Sequence, residues 1–203
     1  MNYLAFERAF RAFPVFSVKD IKKRFPDFDN RRLVEWQQKD YLQKIRRGYY
    51  CFVESSKGEY FRYFTANKIW KPSYVSLESG LAYYNFIPEG VFMTSSVTTR
   101  NTASYATPVG DFDYKSFKPV LFFGYSLIQE KEITFKMAEP EKVILDFLYN
   151  KKLNSLDTME AMRFNEMRIK ESVDLGKLAQ YQKVFDSKVL DKRIRLFKKV
   201  LNA

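Results

Sequence analysis

The chain has 203 residues, of which 46% are hydrophobic and 18% aromatic, so it can bury a core and is not a disordered chain. It carries a net charge of +11, contains no histidine, and has one cysteine, Cys51. These counts exclude histidine-based acid–base catalysis, internal disulfides, and zinc clusters of cysteine and histidine.

The positive charge is concentrated at the two ends of the chain. Residues 1–53 contain 12 Lys and Arg against 6 Asp and Glu, and residues 151–203 contain 13 against 7, whereas the middle is nearly neutral. This distribution favours a nucleic acid or an anionic membrane surface as partner, with simple solubility as the alternative. Because no apolar run reaches the roughly 18 residues of a membrane span and the start is charged, we expect a cytoplasmic protein without a secretory signal.

The first predicted elements are two short helices. An aromatic stripe at helical spacing predicts a helix over residues 2–13, which Pro14 ends. The stripe consists of Tyr3, Phe6, Phe10 and Phe13. Ser17 and Asp20 resemble a capping box, and they predict the start of a second helix that stops at Pro26.

A third helix and a hairpin follow. Asp29 or Asn30 is the predicted cap of a helix that runs to about Asp40. Its predicted buried face consists of Leu33, Val34 and Trp36. Two β-prone runs over residues 42–53 flank Arg47-Gly48 and predict a hairpin. Three helices followed by a hairpin are the order of a winged helix-turn-helix, which we predict over residues 1–56.

The third helix is the predicted recognition helix of this module. Arginines in its first turn are placed to hydrogen-bond guanine or to neutralise phosphate, and the hairpin basic residues would meet the DNA backbone or minor groove. The predicted DNA-binding residues are Arg31, Arg32, Gln38, Lys39, Lys44, Arg46 and Arg47. The alternatives are a small helical domain with solvated charges, or a winged helix that contacts proteins.

The rest of the sequence predicts an α+β domain over residues 70–203, which follows a connecting stretch at residues 54–72. A helix is expected after Ser76 and ends near Pro88. The predicted strands are 91–97, 102–107, 111–117 and 133–137. A helix begins at Glu139-Pro140, and the chain is predicted to be helical from Asn154 onwards.

The last predicted helix, about residues 187–201, has two distinct faces. Its apolar face consists of Leu190, Ile194, Phe197 and Leu201. Its basic face consists of Lys188, Lys192, Arg195 and Lys199. The basic face is interpreted as an ordinary solvated surface, with a second nucleic-acid contact or a membrane contact as alternatives.

A small charged cluster at residues 139–146 raises the question of catalysis. Glu139, Glu141, Lys142 and Asp146 have the composition of a magnesium-dependent nuclease site. The favoured interpretation is helix-terminus electrostatics with an i,i+4 contact between Lys142 and Asp146. We therefore predict no catalytic residue, no metal site and no cofactor, and we expect that the chain is not an enzyme.

The order of segments resembles the AbiEi family, the antitoxin half of type IV toxin–antitoxin and abortive-infection systems. The resemblance covers roughly residues 10–150. It rests on residues 74–84 (YVSLESGLAYY), 123–125 (FGY) and 138–146 (AEPEKVILD), which follow the predicted winged helix. The chain departs from the family pattern at Asp40, where Gly often precedes the wing, and at Val143, where Ala is common.

The resemblance implies two activities. The winged helix would repress the protein's own promoter at inverted repeats. The second domain would counter a nucleotidyltransferase-like toxin without forming a stable complex with it. A metal-dependent nuclease or other phosphoryl-transfer enzyme, and a winged-helix protein-interaction module, stay open as alternatives.

Overall fold

A computed structural model describes residues 1–55 and 58–201. This part of the chain is a mixed α+β protein with ten α-helices and two β-sheets. The predicted boundary at residue 56 and the predicted end at residue 203 lie outside the described residues. Within the described part, no helix is both long and apolar enough to cross a membrane.

Residues 1–55 form what we call the N-terminal unit, with three helices and a three-stranded antiparallel sheet of order β1-β3-β2. Its elements are α1 (Tyr3–Phe10), β1 (Phe16–Ser17), α2 (Val18–Arg24), α3 (Arg31–Gln38), β2 (Leu42–Arg46) and β3 (Tyr49–Phe52). The capping box of Ser17 and Asp20 is confirmed, with Asp20 N–H donating to Ser17 Oγ at 3.1 Å. The hairpin is also confirmed, and Gly48 has a φ of 81° at its turn.

An aromatic cluster holds the N-terminal unit together. Phe6 packs on Phe10 and Trp36, with ring centroids 4.9 and 4.7 Å away, and each of these side chains is almost fully buried. Burying one large apolar side chain contributes about 1.5–3 kcal/mol. The cluster therefore fixes α3 against α1 and leaves the opposite face of α3 in solvent.

Two details of the sequence interpretation are wrong in this unit. Helix α1 ends at Phe10 rather than at residue 13, and Phe13 is exposed. Val34 is 56% exposed, although it was expected on the buried face. The reason is helical geometry, because Val34 is rotated about 100° from Leu33 and about 200° from Trp36.

Helix α4 (Glu59–Ile69) follows the N-terminal unit, where a connecting stretch was expected. Its buried side chains are Phe61, Tyr63, Thr65, Ala66 and Ile69. They cover more than half of the helix circumference, so the sequence shows no narrow apolar stripe at the helical period. The chain then passes the Lys71–Pro72 peptide bond, which is cis, and enters the large sheet.

The large sheet has six strands in the order β6-β7-β5-β4-β9-β8. The strands are β4 (Ser73–Val75), β5 (Thr94–Thr98), β6 (Ala103–Tyr105), β7 (Phe112–Ser116), β8 (Tyr125–Glu130) and β9 (Ile133–Ala138). Helix α5 (Leu77–Tyr83) connects β4 to β5. Three of the four predicted strands are shorter than expected, and β8 was not predicted, because its exposed and half-buried side chains give a weak alternating pattern.

The last five helices lie on one side of the large sheet. They are α6 (Pro140–Asn150), α7 (Leu156–Glu160), α8 (Glu166–Ser172), α9 (Leu175–Phe185) and α10 (Lys188–Val200). Helix α6 contacts β9, and both α9 and α10 pack on α6. The predicted apolar face of α10 is confirmed as buried, and the four basic residues of its other face are exposed. Arg193 is a further basic residue of α10, but it is buried. Its guanidinium donates to the Leu148 and Tyr149 carbonyl oxygens at 2.8 and 3.1 Å.

Alternate strand residues point to opposite sides of the sheet. Tyr74 and Ala138 belong to the core beneath α5, α6 and the C-terminal helices, whereas Val75 and Met137 belong to the core beneath α4. The second core also includes Ile45 and Cys51 of the N-terminal unit, along with Val15. The predicted parts 1–56 and 70–203 therefore share buried apolar surface.

Candidate nucleic-acid interface

Helix α3 presents a polar outer face. Leu33 and Trp36 hold its inner side against the aromatic cluster, and α3 also contacts β2 of the hairpin. A shallow groove of about 480 Å³ follows the outer face. It is lined by Asp29, Arg31, Arg32, Val34, Glu35 and Gln38. Three of the predicted DNA-binding residues, Arg31, Arg32 and Gln38, thus border one groove.

Arg31 has an intramolecular partner at the start of α3. Asp29 Oδ1 accepts a hydrogen bond from the Arg31 backbone N–H at 2.9 Å, which satisfies a free donor of the first turn. The Asp29 carboxylate also binds the Arg31 guanidinium, with Nε and Nη2 each 2.9 Å from Oδ2. The guanidinium beside it holds the pKa of Asp29 below its usual range. Asp29 therefore orients an exposed arginine beside the groove.

Lys39 forms a similar pair at the end of the groove, with Glu35. Its ammonium lies 2.8 Å from a carboxylate oxygen of Glu35, and the hydrogen bond lowers the pKa of Glu35. Both side chains are exposed, so the pair is weak and can exchange for other partners. Arg32 is half-buried and Gln38 is exposed on the same face.

The hairpin residues divide into two groups. Lys44 and Arg47 are exposed, and Arg47 lies at the turn. Arg46 instead points toward the large sheet, where its guanidinium lies 4.3 Å from the Tyr105 ring centroid and donates to the Ile69 carbonyl oxygen at 3.2 Å. The structure thus separates Arg46 from the other six predicted residues.

Helix α2 adds basic residues that the predicted site did not include. Its exposed basic side chains are Lys19, Lys22, Lys23 and Arg24. In the predicted helix-turn-helix, α2 would be the first helix, which crosses the phosphate backbone in such modules. The sequence already indicated a basic face on this helix, because three of these residues lie opposite its apolar side. Only the fold shows where α2 lies relative to α3.

The charged cluster of residues 139–146 is divided between the interior and the surface. Lys142 and Asp146 have no exposed surface, and their ammonium and carboxylate groups form an ion pair. Tyr74 Oη and Ser76 Oγ donate to Asp146 Oδ2 at 3.0 and 2.8 Å. Burial lowers the pKa of Lys142 and raises the pKa of Asp146, while their mutual attraction opposes both shifts. The expected i,i+4 contact is present, but it is a buried network rather than a surface contact at a helix end.

Glu139 and Glu141 point toward α9. The Lys177 ammonium lies 3.2 Å from Glu139 and 3.1 Å from Glu141, and Tyr181 Oη donates to Glu139 at 2.6 Å. These contacts fix α9 on the start of α6. Among the described residues, no group of three or more Asp, Glu or Cys side chains is arranged to hold a metal ion.

Two of the three segments that carry the family resemblance, residues 74–84 and 138–146, pack directly on each other. A Cβ atom added to Gly80 would lie 2.6 Å from Cγ2 of Val143, so a larger residue at position 80 would force Val143 or the helices to shift. Tyr84 Oη also donates to the Ala138 carbonyl oxygen at 2.9 Å. Both segments therefore have a structural role in joining α5 to α6.

The chain matches no family model, and no curated protein matches it.

Proposed function

We propose that the N-terminal unit is a winged helix-turn-helix that binds duplex DNA, with α3 as recognition helix and the β2–β3 hairpin as wing. One observation carries this proposal: α3 is held by Leu33 and Trp36 so that its polar face is turned to solvent, with Arg31 exposed and Arg32 half-buried at its edge. This presentation suits insertion of α3 into the major groove.

The surrounding charges support the same assignment. Exposed Lys and Arg on α2 and at the hairpin turn are available for phosphate contacts, which supply most of the affinity of such modules. Within this interface, Arg31 and Gln38 are the candidate base readers, Arg32 and Lys39 the candidate phosphate contacts on α3, and Lys44 and Arg47 the wing contacts. We assign Arg46 to positioning of the hairpin, because its guanidinium is engaged by Tyr105 and Ile69.

We further propose that the protein is a cytoplasmic autorepressor and antitoxin of the AbiEi type, which acts at its own promoter. This part of the proposal rests on the sequence resemblance. It is also supported by the packing of two of the resembling segments, residues 74–84 and 138–146, against each other. The functional partner would be a nucleotidyltransferase-like toxin.

The DNA-binding proposal is tested by fluorescence anisotropy with the protein's own upstream region and with scrambled DNA of equal length. If about five cations meet phosphates, log K falls with log salt at a slope of about −4 to −5. We expect tighter binding to the upstream region at every salt concentration. Absence of binding at low salt, or affinity independent of salt, would contradict the proposal.

The antitoxin proposal is tested by co-expression. Growth should be restored when the chain is produced together with a nucleotidyltransferase-like protein encoded beside it, and a chain lacking residues 1–55 should lose promoter binding. Growth arrest that is the same with and without the full chain would contradict the antitoxin role while leaving DNA binding intact.

A further inference from the structure

A pocket outside the proposed DNA interface lies where β4 and β9 diverge. The two parallel strands pair at Val75 and Met137. Toward the start of both strands, the Lys136 backbone N–H of β9 donates to Oδ1 of Asn67, a residue of α4, at 2.5 Å. A pocket of about 300 Å³ opens at this point, at the lower end of the range for small-molecule sites.

The pocket combines basic and apolar walls. Its basic residues are Lys68, Lys71 and Lys136. Its apolar residues are Phe64, Pro72, Leu127 and Phe135. Lys68 is shared with the N-terminal unit, because its ammonium lies 3.1 Å from Asp20. Lys71 is exposed at the rim.

Asn67 contributes a hydrogen-bond donor. The bond from Lys136 N–H to Oδ1 determines which end of the Asn67 amide is nitrogen, since a backbone N–H requires an acceptor. Asn67 Nδ2 is buried and has no hydrogen-bond acceptor among the described residues. A buried amide donor without a partner is costly, so a ligand oxygen that accepts from it would gain affinity.

We propose that this pocket binds a small organic phosphate of the size and chemistry of a nucleoside monophosphate. A phosphate monoester carries a charge of about −1.5 to −2 at pH 7 and offers three acceptor oxygens, which suit a pocket with a basic rim and one amide donor better than a single carboxylate does. Phe64, Pro72 and Leu127 provide apolar surface for a planar base. The site is independent of the proposed DNA interface.

The test is isothermal titration of the full chain with AMP in phosphate-free buffer, with adenosine and inorganic phosphate as companion probes. We expect saturable AMP binding, competition by inorganic phosphate, and much weaker binding of adenosine. Lys71→Glu should weaken AMP binding about tenfold or more, because it replaces a favourable charge by a repulsive one. Asn67→Asp keeps the acceptor for Lys136 N–H but removes the amide donor, and it should weaken binding similarly.

Lys118→Glu is the matched control. Lys118 is also an exposed lysine that precedes a proline, and its substitution by glutamate changes the net charge by the same amount. It should leave AMP affinity within about twofold of the unmodified chain. Absence of saturable AMP binding would overturn the proposal. Equal affinity for adenosine and AMP, or equal effects of Lys71→Glu and Lys118→Glu, would also overturn it, because the phosphate would then lie elsewhere or make no contribution.

Discussion

The Arg46 guanidinium lies 4.3 Å from the centre of the Tyr105 ring, so the hairpin of the N-terminal unit stacks on β6 of the large sheet. The same guanidinium lies 5.3 Å from the Trp70 ring, and Arg100 lies 3.8 Å from that ring. A cation held over an aromatic ring contributes about 0.5–2 kcal/mol, depending on desolvation. Arg46 therefore connects the orientation of the hairpin to the body of the protein.

This relationship predicts different consequences for two adjacent arginines. Arg46→Ala should lower the free energy of unfolding by about 1–2 kcal/mol, because it removes the stacking and the hydrogen bond to Ile69. Arg47→Ala should leave stability nearly unchanged and weaken binding to specific and random DNA alike. Urea unfolding and fluorescence anisotropy on both variants are the measurements. Unchanged stability of Arg46→Ala would show that the stack does not hold the hairpin.

The Asp29–Arg31 pair predicts a gain in DNA affinity. Asp29→Asn keeps an oxygen acceptor for the Arg31 backbone N–H, but it removes the negative charge that binds the guanidinium. We expect binding to random DNA to tighten several-fold at low salt, while preference for the upstream region decreases, because Arg31 is no longer oriented. Asp27→Asn is the control, since it makes the same charge change two residues earlier. Equal effects of the two variants would mean that only net charge matters.

The buried pair of Lys142 and Asp146 predicts a non-additive effect on stability. Lys142→Met should cost about 3–5 kcal/mol, because it leaves a buried carboxylate without its cation. The double variant Lys142→Met with Asp146→Leu should be closer to the unmodified protein, since it removes both charges. Denaturant unfolding of the two single variants and the double variant completes the cycle. Simple addition of the single effects would argue against a coupled pair.

Helix α4 predicts where the chain can be divided. Phe112, Phe135 and Met137 lie beneath α4, so a fragment that begins at residue 70 would expose this core. A fragment of residues 58–203 keeps α4 and loses only Val15, Ile45 and Cys51 from the buried residues of this core, so we expect it to give a cooperative thermal transition. We expect a fragment of residues 70–203 to aggregate or to bind a hydrophobic dye. Calorimetry and dye fluorescence distinguish the two. A cooperative transition for residues 70–203 equal to that of the longer fragment would show that α4 is dispensable.

Elements with a strong local signal were predictable from the sequence. The capping box of α2, the turn at Gly48 and the two faces of α10 each depend on residues within a few positions of one another, so the local pattern is sufficient. The mixed α+β composition follows from the same patterns. The basic outer face of α3 was predicted in the same way, and its role in DNA binding stays a proposal.

Only the tertiary structure decided features that depend on distant residues. Arg46 and Arg47 are adjacent in sequence, yet one stacks on a strand some 60 positions away and the other is exposed. Likewise, α4 lacks a narrow apolar stripe because it is covered on several sides. The sequence indicated a charged helix terminus at Lys142, whereas in the fold its ammonium is buried and donates to Tyr74 Oη. In each case, burial depends on which surfaces meet in space, and spacing along the chain does not carry that information.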